Sequence, residues 1–169
     1  EKLSEICLER GALDVFVAEN REKQESILHI RSMVYEALKA GTIEILDVVL
    51  PRTEVEPHLR LIEELSRKED VWLPTYGHAA DGNVHTHITK KTLAGADSRD
   101  WEKMYPRVRK IIHDDAKARG GRASGEHGIG LVKKEYLGMF VDAGALDLMR
   151  GIKRVFDPKC ILNPGKIFD

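Results

Sequence analysis

The spacing of apolar residues along the chain predicts alternating helices and short strands. Apolar residues recur at helical intervals in residues 21–41, 54–68 and 101–119, and we predict one long helix for each segment. The apolar run IEILDVVLP, closed by Pro51, is typical of a buried strand. A shorter run, LDVFVAE at residues 13–19, also predicts a strand.

Shorter helical patterns lie near both ends of the chain. LSEICLERG stops at Gly11, and a final pair, LVKKEYLGMF and ALDLMRGIKRVF, precedes the closing segment DPKCILNPGKIF. The chain thus mixes runs of helix with strands, and at least two of the strands are expected to form a hairpin. This arrangement predicts an α+β fold in which helices cover a largely antiparallel sheet.

The hairpin is predicted at GHAADGNVH, where Asp81 and Gly82 are a strong signal for a two-residue turn with positive φ at both positions. That turn places His78 directly opposite His85. Directly opposed side chains in an antiparallel pair have Cβ atoms roughly 4.5–5.5 Å apart. We therefore expect the two imidazoles to lie close enough to share one metal ion.

A second concentration of reactive side chains is the glycine-rich segment SGEHGIG, with Glu126 and His127 at its centre. Two histidines and one carboxylate are a common ligand set for zinc, iron or manganese, with a position left open for substrate or water. The simpler alternative is that His78 and His85 only pair across a hairpin while the glycines form turns. His87 lies on the same strand face as His85, so it is either a fourth ligand or a group behind the ligands.

Composition and charge narrow the class of protein. The 27 basic and 28 acidic residues of this 169-residue chain give a formal net charge of -1, which offers no electrostatic reason to expect a nucleic-acid partner. No apolar run approaches the roughly 20 residues of a membrane span, and the first residues lack the apolar core of a signal peptide. The two cysteines show no framework spacing and fit a reducing compartment, so we expect a cytoplasmic protein.

Several common catalytic motifs are absent from the sequence. No Gly-Lys-Ser/Thr follows SGEHGIG, so it is not a phosphate-binding Walker loop, and no GxGxxG fingerprint follows a predicted strand. The nucleophile-elbow serine and the HExxH zinc motif are also missing. The chain by itself contains no group that carries redox electrons.

Three motifs taken in order, GHAADGNVH, SGEHGIG and FDPKCILNPGKIF, resemble the C-terminal domain of FAD-linked oxidases of the vanillyl-alcohol-oxidase superfamily. The similarity is to the branch that contains glycolate oxidase flavoprotein subunits, D-lactate dehydrogenases and D-2-hydroxyglutarate dehydrogenase. LHIRSMVYEAL and LDVVLP are also similar to the family's substrate-side helix and its Asp-Val-x-x-Pro strand. The resemblance implies a ferredoxin-like cap domain over residues 1–169 that covers the flavin of a two-domain enzyme.

The resemblance also implies what accompanies this domain. In the family an N-terminal domain binds FAD, and we expect the chain to lack that domain and the first strand of the cap. The favoured hypothesis is a fragment of a flavoenzyme that oxidises a small 2-hydroxy acid. The alternative is a separately encoded metal-binding cap or interaction module without activity of its own. An electron acceptor is implied but not identified, and a homodimer or a peripheral contact with the membrane through that acceptor is left open.

Roles for individual residues follow from the same resemblance. His78 and His85 match the family's metal-ligand histidines, and Glu126 matches its carboxylate ligand. His127 matches the histidine that lies near the flavin and acts as a general base while hydride leaves the substrate α-carbon. A divalent metal in this site would polarise the substrate hydroxyl.

The remaining matches concern the substrate and the flavin. Arg31 matches the arginine that holds the substrate carboxylate, a role suited to a bidentate guanidinium. Asn163 lies where the family's C-terminal segment returns to the flavin. His87, a predicted substrate contact, stands where some 2-hydroxyglutarate-type members carry asparagine, and Ile45 stands near their lysine for a second carboxylate. Glycolate or D-lactate is therefore favoured over a dicarboxylate.

Overall fold

The computed structural model describes residues 2–98 and 100–168, which form two compact units. The first unit ends at Ala40 and the second begins at Gly41. The helices of the first unit are α1 (Lys2–Glu9), α2 (Arg21–Ser32) and α3 (Val34–Leu38). These helices bury none of their residues, so they contribute no closed core to this unit.

Two predictions for the first unit are wrong. The helix predicted over residues 21–41 is interrupted at Met33, which separates α2 from α3. Residues 13–19 form no strand, and Leu13 and Phe16 are exposed. A strand is stable only beside a partner, and no strand in the described part of the chain pairs with this segment.

An antiparallel sheet of three strands lies in the second unit. Its strands are β1 (Thr42–Val49), β2 (Thr75–His78) and β3 (Asn83–Thr89), in the spatial order β1-β3-β2. β3 is the central strand, and all seven of its residues are buried. Successive side chains point to opposite faces of a pleated strand. One face of the sheet is apolar, whereas the other carries Asp47, Asn83, His85 and His87.

Helices pack on the apolar face of the sheet. The helices of this unit are α4 (Val55–Glu69), α5 (Trp101–Ala118), α6 (Lys134–Phe140) and α7 (Ala143–Phe156). Leu46 of β1 and Ile88 of β3 share one buried core with Ile62 of α4 and with Val108 and Ile112 of α5. The fold is therefore α+β, with an antiparallel sheet covered by helices, which confirms the predicted fold class.

The last helix, α7, differs from α4 and α5 because it buries none of its residues. The side chain of Asp142 caps its first turn by accepting a hydrogen bond from the N–H of Ala145 at 2.9 Å. Its apolar residues are left exposed, among them Leu148, Val155 and Phe156. Among the helices of residues 2–98 and 100–168, none combines the length and the apolar character that crossing a bilayer requires.

The hairpin between β2 and β3 forms, but its register differs from the predicted one. His78 lies opposite Asn83, and His85 lies opposite Tyr76. The two histidines are thus diagonal neighbours instead of a directly opposed pair. Diagonal side chains on one sheet face remain within reach of each other when they are long.

The turn of this hairpin explains the change of register. It contains residues 79–82 instead of two residues, and the N–H of Asp81 donates to the carbonyl of His78 at 2.9 Å. A two-residue primed turn needs positive φ at both positions, whereas only Gly82 adopts it, at 76°. The carbonyl of Gly82 accepts a hydrogen bond from the N–H of Leu50 at 2.9 Å, which ties the turn to the segment after β1.

Candidate metal and catalytic site

Three side chains from separate parts of the chain meet on the polar side of the sheet. His78 ends β2, His85 lies on β3, and Glu126 lies in the glycine-rich loop. The Oε1 atom of Glu126 lies 3.0 Å from Nε2 of His85 and 3.6 Å from Nε2 of His78. The imidazoles meet edge to face with ring centroids 5.7 Å apart. The structure thus brings together the three predicted metal ligands despite the changed hairpin register.

This set of donors fits a divalent metal ion. Two donors bound at about 2.1 Å to one tetrahedral zinc ion are roughly 3.4 Å apart, close to the separations of Glu126 from the two histidines. Burial lowers the pKa of His85, and the nearby carboxylates oppose this effect only in part. A neutral imidazole is the form that binds a metal. His78 and Glu126 are partly exposed, so one side of the group is open to a further ligand.

The glycine-rich loop reaches this position because its first residues lie along the outer edge of β1. Arg122 exchanges two backbone hydrogen bonds with Val49, and the N–H of Gly125 donates to the carbonyl of Asp47 at 2.9 Å. A Cβ atom on Gly125 would lie 1.7 Å from Nδ2 of Asn83, so this close approach requires glycine. The loop therefore presents its next side chain to the hairpin.

Asp47, at the middle of β1, anchors the loop through a fully buried carboxylate. Its donors are the N–H groups of Gly125, Glu126 and His127, the Oγ of Ser124, the Nδ2 of Asn83 and the Nζ of Lys133. The distances range from 2.7 Å for Ser124 to 3.3 Å for Lys133. Burial by itself would raise the pKa of Asp47, but these hydrogen bonds and the charge of Lys133 hold it well below its usual range.

His127 follows Glu126 in the chain, and its ring takes a different position. It stacks on His85 with ring centroids 4.8 Å apart. Its Nε2 lies 3.8 Å from Glu126 and its Nδ1 lies 3.9 Å from Asp47, and both distances are too long for hydrogen bonds. The side chain is 44% exposed and borders a cleft of about 420 Å³ that Ile45 also lines. His127 is therefore accessible to a small molecule in that cleft.

A second group of possible ligands overlaps the first. Asp47, His85 and His127 also place one ligand atom each within 4.8 Å of one another. Both oxygens of Asp47 already accept the hydrogen bonds described above, which makes it a poor ligand. The group of His78, His85 and Glu126 is therefore the better candidate for a metal site.

His87 is fully buried beside the site. Its Nδ1 lies 2.8 Å from the hydroxyl of Thr42, and its Nε2 lies 3.1 Å from the hydroxyl of Tyr76. Burial, followed by the neighbouring His85, lowers the pKa of His87. Because both ring nitrogens have side-chain partners, a supporting role is favoured over that of a fourth ligand. Contact between His87 and a substrate stays a prediction.

The other two predicted site residues lie on separate segments. Arg31 is exposed on α2 in the first unit. Asn163 is exposed in the C-terminal segment of the second unit and has a positive φ of 49°. That segment contacts the glycine-rich loop, since the N–H of Ile167 donates to the carbonyl of Gly130 at 2.8 Å. The predicted roles of Arg31 in substrate binding and of Asn163 in flavin binding stay predictions.

Sequence reasoning assigned no role to three residues that build this site: Asp47, Asn83 and Lys133. A signal existed for Asp47, because it is a lone aspartate in the apolar second half of the predicted buried strand, and a buried charge must be paired. Lys133 is also buried, but in the sequence it is one of two adjacent lysines and nothing distinguishes it.

Comparison with known proteins agrees with these observations. The family model for FAD linked oxidases, C-terminal domain, matches residues 1–167. D-lactate dehydrogenase of Archaeoglobus fulgidus is 41% identical over 168 residues, which cover 99% of this chain and 36% of that protein. The glycolate oxidase subunit GlcD of Bacillus subtilis is 35% identical, with 99% of this chain and 35% of that protein covered.

A third relative is D-2-hydroxyglutarate dehydrogenase of Xanthomonas citri, which is 33% identical, with 98% of this chain and 35% of that protein covered. The chain thus spans about a third of the length of the curated relatives it matches. The family match includes the hairpin, the glycine-rich loop and the closing segment, which confirms the resemblance inferred from those motifs. The chain therefore belongs to the FAD linked oxidases and is their C-terminal domain.

Proposed function

We propose that the chain is the substrate-side domain of an FAD-dependent dehydrogenase that oxidises a small 2-hydroxy acid of the glycolate or D-lactate type. The observation that supports this most is the convergence of His78, His85 and Glu126 beside an accessible His127. The names of the three relatives refer to lactate, glycolate and 2-hydroxyglutarate, all of which are 2-hydroxy acids.

In this proposal His78, His85 and Glu126 hold a divalent metal ion such as zinc, iron or manganese. When bound, the metal supplies a Lewis acid for the substrate oxygen, and FAD supplies a hydride acceptor. The three ligands leave one side open, as a site that admits a substrate oxygen requires. Stacking of His127 on His85 limits the movement of both rings.

His127 is the proposed general base. It takes the proton of the substrate hydroxyl as the bond between the α-carbon and its hydrogen breaks. Two features support this role: its ring borders the cleft, and neither of its nitrogens is hydrogen-bonded to Glu126 or Asp47. A ring that is held in place by stacking and borders the cleft suits proton transfer.

The substrate carboxylate is assigned to Arg31, whose guanidinium can bind both oxygens at once. The wall of the cleft at Ile45 is apolar, and the cation that lines the cleft, Lys133, is buried and paired with Asp47, which favours a substrate with one carboxylate. His87, hydrogen-bonded to Tyr76, would support the substrate side of the site. Asn163 would contact the flavin held by an N-terminal FAD-binding domain, and the electron acceptor remains to be identified.

A second candidate function is a metal-binding cap or interaction module without activity of its own. It is favoured by one observation: His78, His85 and Glu126 all lie in the unit that begins at Gly41, so this unit contains the whole group. Turnover of a 2-hydroxy acid by the full-length protein distinguishes the two functions, because the module binds metal and catalyses nothing.

The test uses the full-length protein with glycolate and D-lactate as substrates and a dye as electron acceptor. His127→Ala is expected to lower turnover by about 10²–10⁴-fold, the usual contribution of general acid–base catalysis, and to leave metal content unchanged. The matched variant is His78→Ala with His85→Ala, which is expected to lose both metal and turnover. Elemental analysis is run in parallel with steady-state kinetics on all three proteins.

Either of two results would contradict the assigned roles. Full turnover in His127→Ala removes it from the catalytic machinery, and loss of metal in the same variant places it among the ligands. Unchanged metal content in the double variant at His78 and His85 would exclude the proposed ligand set. Absence of turnover in a metal-loaded, FAD-loaded wild type, with each substrate, would favour the inactive module.

A further inference from the structure

We propose that Asp47 is the positioning residue of the metal site: one of its oxygens fixes the loop that carries Glu126, and the other fixes the proton of His85. The inference rests on the proposed metal site and adds to it a residue that binds neither metal nor substrate.

The first half of the proposal concerns Oδ2 of Asp47. Three successive backbone N–H groups point at this one atom, from Gly125 and Glu126 at 3.1 Å and from His127 at 2.8 Å. Consecutive N–H groups around an anion form a concave nest whose geometry is set by the backbone. Because the nest includes the N–H groups of Glu126 and His127, the carboxylate of Asp47 fixes the backbone position from which both side chains extend.

The second half concerns Oδ1 of Asp47, which faces β3. Nδ1 of His85 lies 3.4 Å from it and, within residues 2–98 and 100–168, has no hydrogen-bond partner although it is buried. A metal-binding histidine nearly always donates its other ring N–H to a carboxylate or carbonyl. With a proton on Nδ1 facing Asp47, the lone pair of Nε2 is available to a metal ion shared with Glu126, whose Oε1 lies 3.0 Å from Nε2.

A neutral amide cannot replace this carboxylate. In Asp47→Asn one of the two oxygens becomes an NH₂ group. On the loop side it would meet the N–H groups of the nest. On the strand side it would meet Nδ2 of Asn83, now 2.9 Å from Oδ1, and turning over the Asn83 amide to accept from it would remove the donor of the Val48 carbonyl. The buried Nζ of Lys133 would also lose its opposite charge. The substitution is therefore nearly isosteric but removes the function of the carboxylate.

Glu44 provides a matched control on the same strand. Its carboxylate is also buried and also paired with a cation, since Oε2 lies 2.9 Å from Nε of Arg109 and accepts a hydrogen bond from Tyr105 at 2.6 Å. It lines the same cleft as His127 but bonds to α5 and not to the glycine-rich loop. Glu44→Gln therefore removes a buried charge from β1 without touching the nest or His85.

The experiment measures Zn²⁺ affinity by competition with a chelator, and the exchange of the His85 Nδ1 proton with water by NMR spectra of the zinc-loaded, full-length protein. We expect the zinc-loaded wild type to carry the His85 proton on Nδ1. Asp47→Asn is expected to weaken Zn²⁺ binding by about 10–100-fold, as for other residues that orient metal ligands, and to make the Nδ1 proton exchange faster with water. Glu44→Gln is expected to change neither quantity.

A second variant keeps the test decisive if Asp47→Asn does not fold. Ser124→Ala removes one donor to Oδ2, at 2.7 Å, and leaves the carboxylate in place. It is expected to weaken Zn²⁺ binding while the proton of His85 stays on Nδ1.

Three results would overturn the proposal: a His85 proton on Nε2 in the zinc-loaded wild type, equal affinities in wild type and folded Asp47→Asn, or an equal loss of affinity in Glu44→Gln. Failure of the wild type to bind Zn²⁺ would instead reject the metal site itself, and the positioning role with it.

Discussion

At the scale of single residues, Gly125 is the position where the loop backbone comes closest to the sheet. A Cβ atom there would lie 1.7 Å from Nδ2 of Asn83 and 3.3 Å from Oδ1 of Asp47. Gly125→Ala must therefore displace the loop or Asn83. We expect it to lower the free energy of unfolding by about 1–3 kcal/mol, the usual cost of overpacking, and to weaken metal binding.

Gly138 is the matched control for this substitution. It is an exposed glycine on α6, and a Cβ atom there would meet nothing within 4 Å. Alanine is favoured over glycine inside a helix by roughly 0.5–1 kcal/mol, so Gly138→Ala should stabilise the chain. Both variants are compared by denaturant unfolding and metal titration. Equal stability of Gly125→Ala and the wild type would show that the loop does not approach the sheet as described.

A buried histidine far from the ligands makes stability depend on pH. His113 on α5 is fully buried, stacks on Tyr136 with ring centroids 4.0 Å apart, and has Nδ1 2.9 Å from the carbonyl of Arg109. Burial lowers the pKa of His113 from 6.5 to about 4. Between these values the unfolded chain binds a proton that the folded chain does not. The neutral His113 therefore stabilises the folded chain fully above pH 6.5, and this stabilisation is lost as the pH falls toward 4.

As the pH falls from 6.5 to 4, this effect of His113 is expected to lower the free energy of unfolding by on the order of 3 kcal/mol. His113→Phe keeps the aromatic stack and removes the titrating group. Its free energy of unfolding should therefore change less with pH than that of the wild type. Urea unfolding from pH 6.5 down to 4 measures both proteins. Burial also lowers the pKa of His58, so some slope remains in the variant. Identical slopes would contradict the role of His113.

At the scale of elements, the bounds of a helix or strand are predicted most accurately where that element buries one regular apolar face. The helices predicted at residues 54–68 and 101–119 match α4 and α5 within one residue at each end, because each has an apolar stripe on the core. Residues 13–19 have a comparable apolar pattern without a partner strand, and the pattern alone could not reveal that. The break at Met33 has no glycine or proline beside it to mark it.

The residues that meet in the candidate site were predictable from sequence, but their arrangement was not. His78, His85 and Glu126 were recognisable from residue type and motif, and their role as metal ligands stays a prediction. The hairpin register was not recognisable, because the turn has four residues and is held by a hydrogen bond from Leu50 to Gly82, which are far apart in sequence. The role of Asp47 depends in the same way on a loop that follows it by about 80 residues and docks on β1 only in the folded chain.

At the scale of the whole molecule, a chain that covers about a third of its relatives should not hold the flavin by itself. The sequence contains neither a GxGxxG fingerprint after a predicted strand nor a Walker loop that would bind the FAD phosphates. We expect the 169-residue chain to be colourless after purification and to bind no added FAD, whereas the full-length protein should be yellow. Absorbance spectra and a flavin fluorescence titration check this. A yellow 169-residue chain would contradict it.

The docking of the glycine-rich loop also has a consequence for self-association. In the order β1-β3-β2, β1 has a neighbouring strand on one side only, and an uncovered strand edge can recruit a strand from another molecule. Here Arg122 and Gly125 lie along that edge and form backbone hydrogen bonds with Val49 and Asp47. The segment that carries Glu126, the proposed metal ligand, therefore also protects this edge from intermolecular strand pairing. We expect a variant that releases this segment to aggregate more readily and to lose the proposed ligand at the same time.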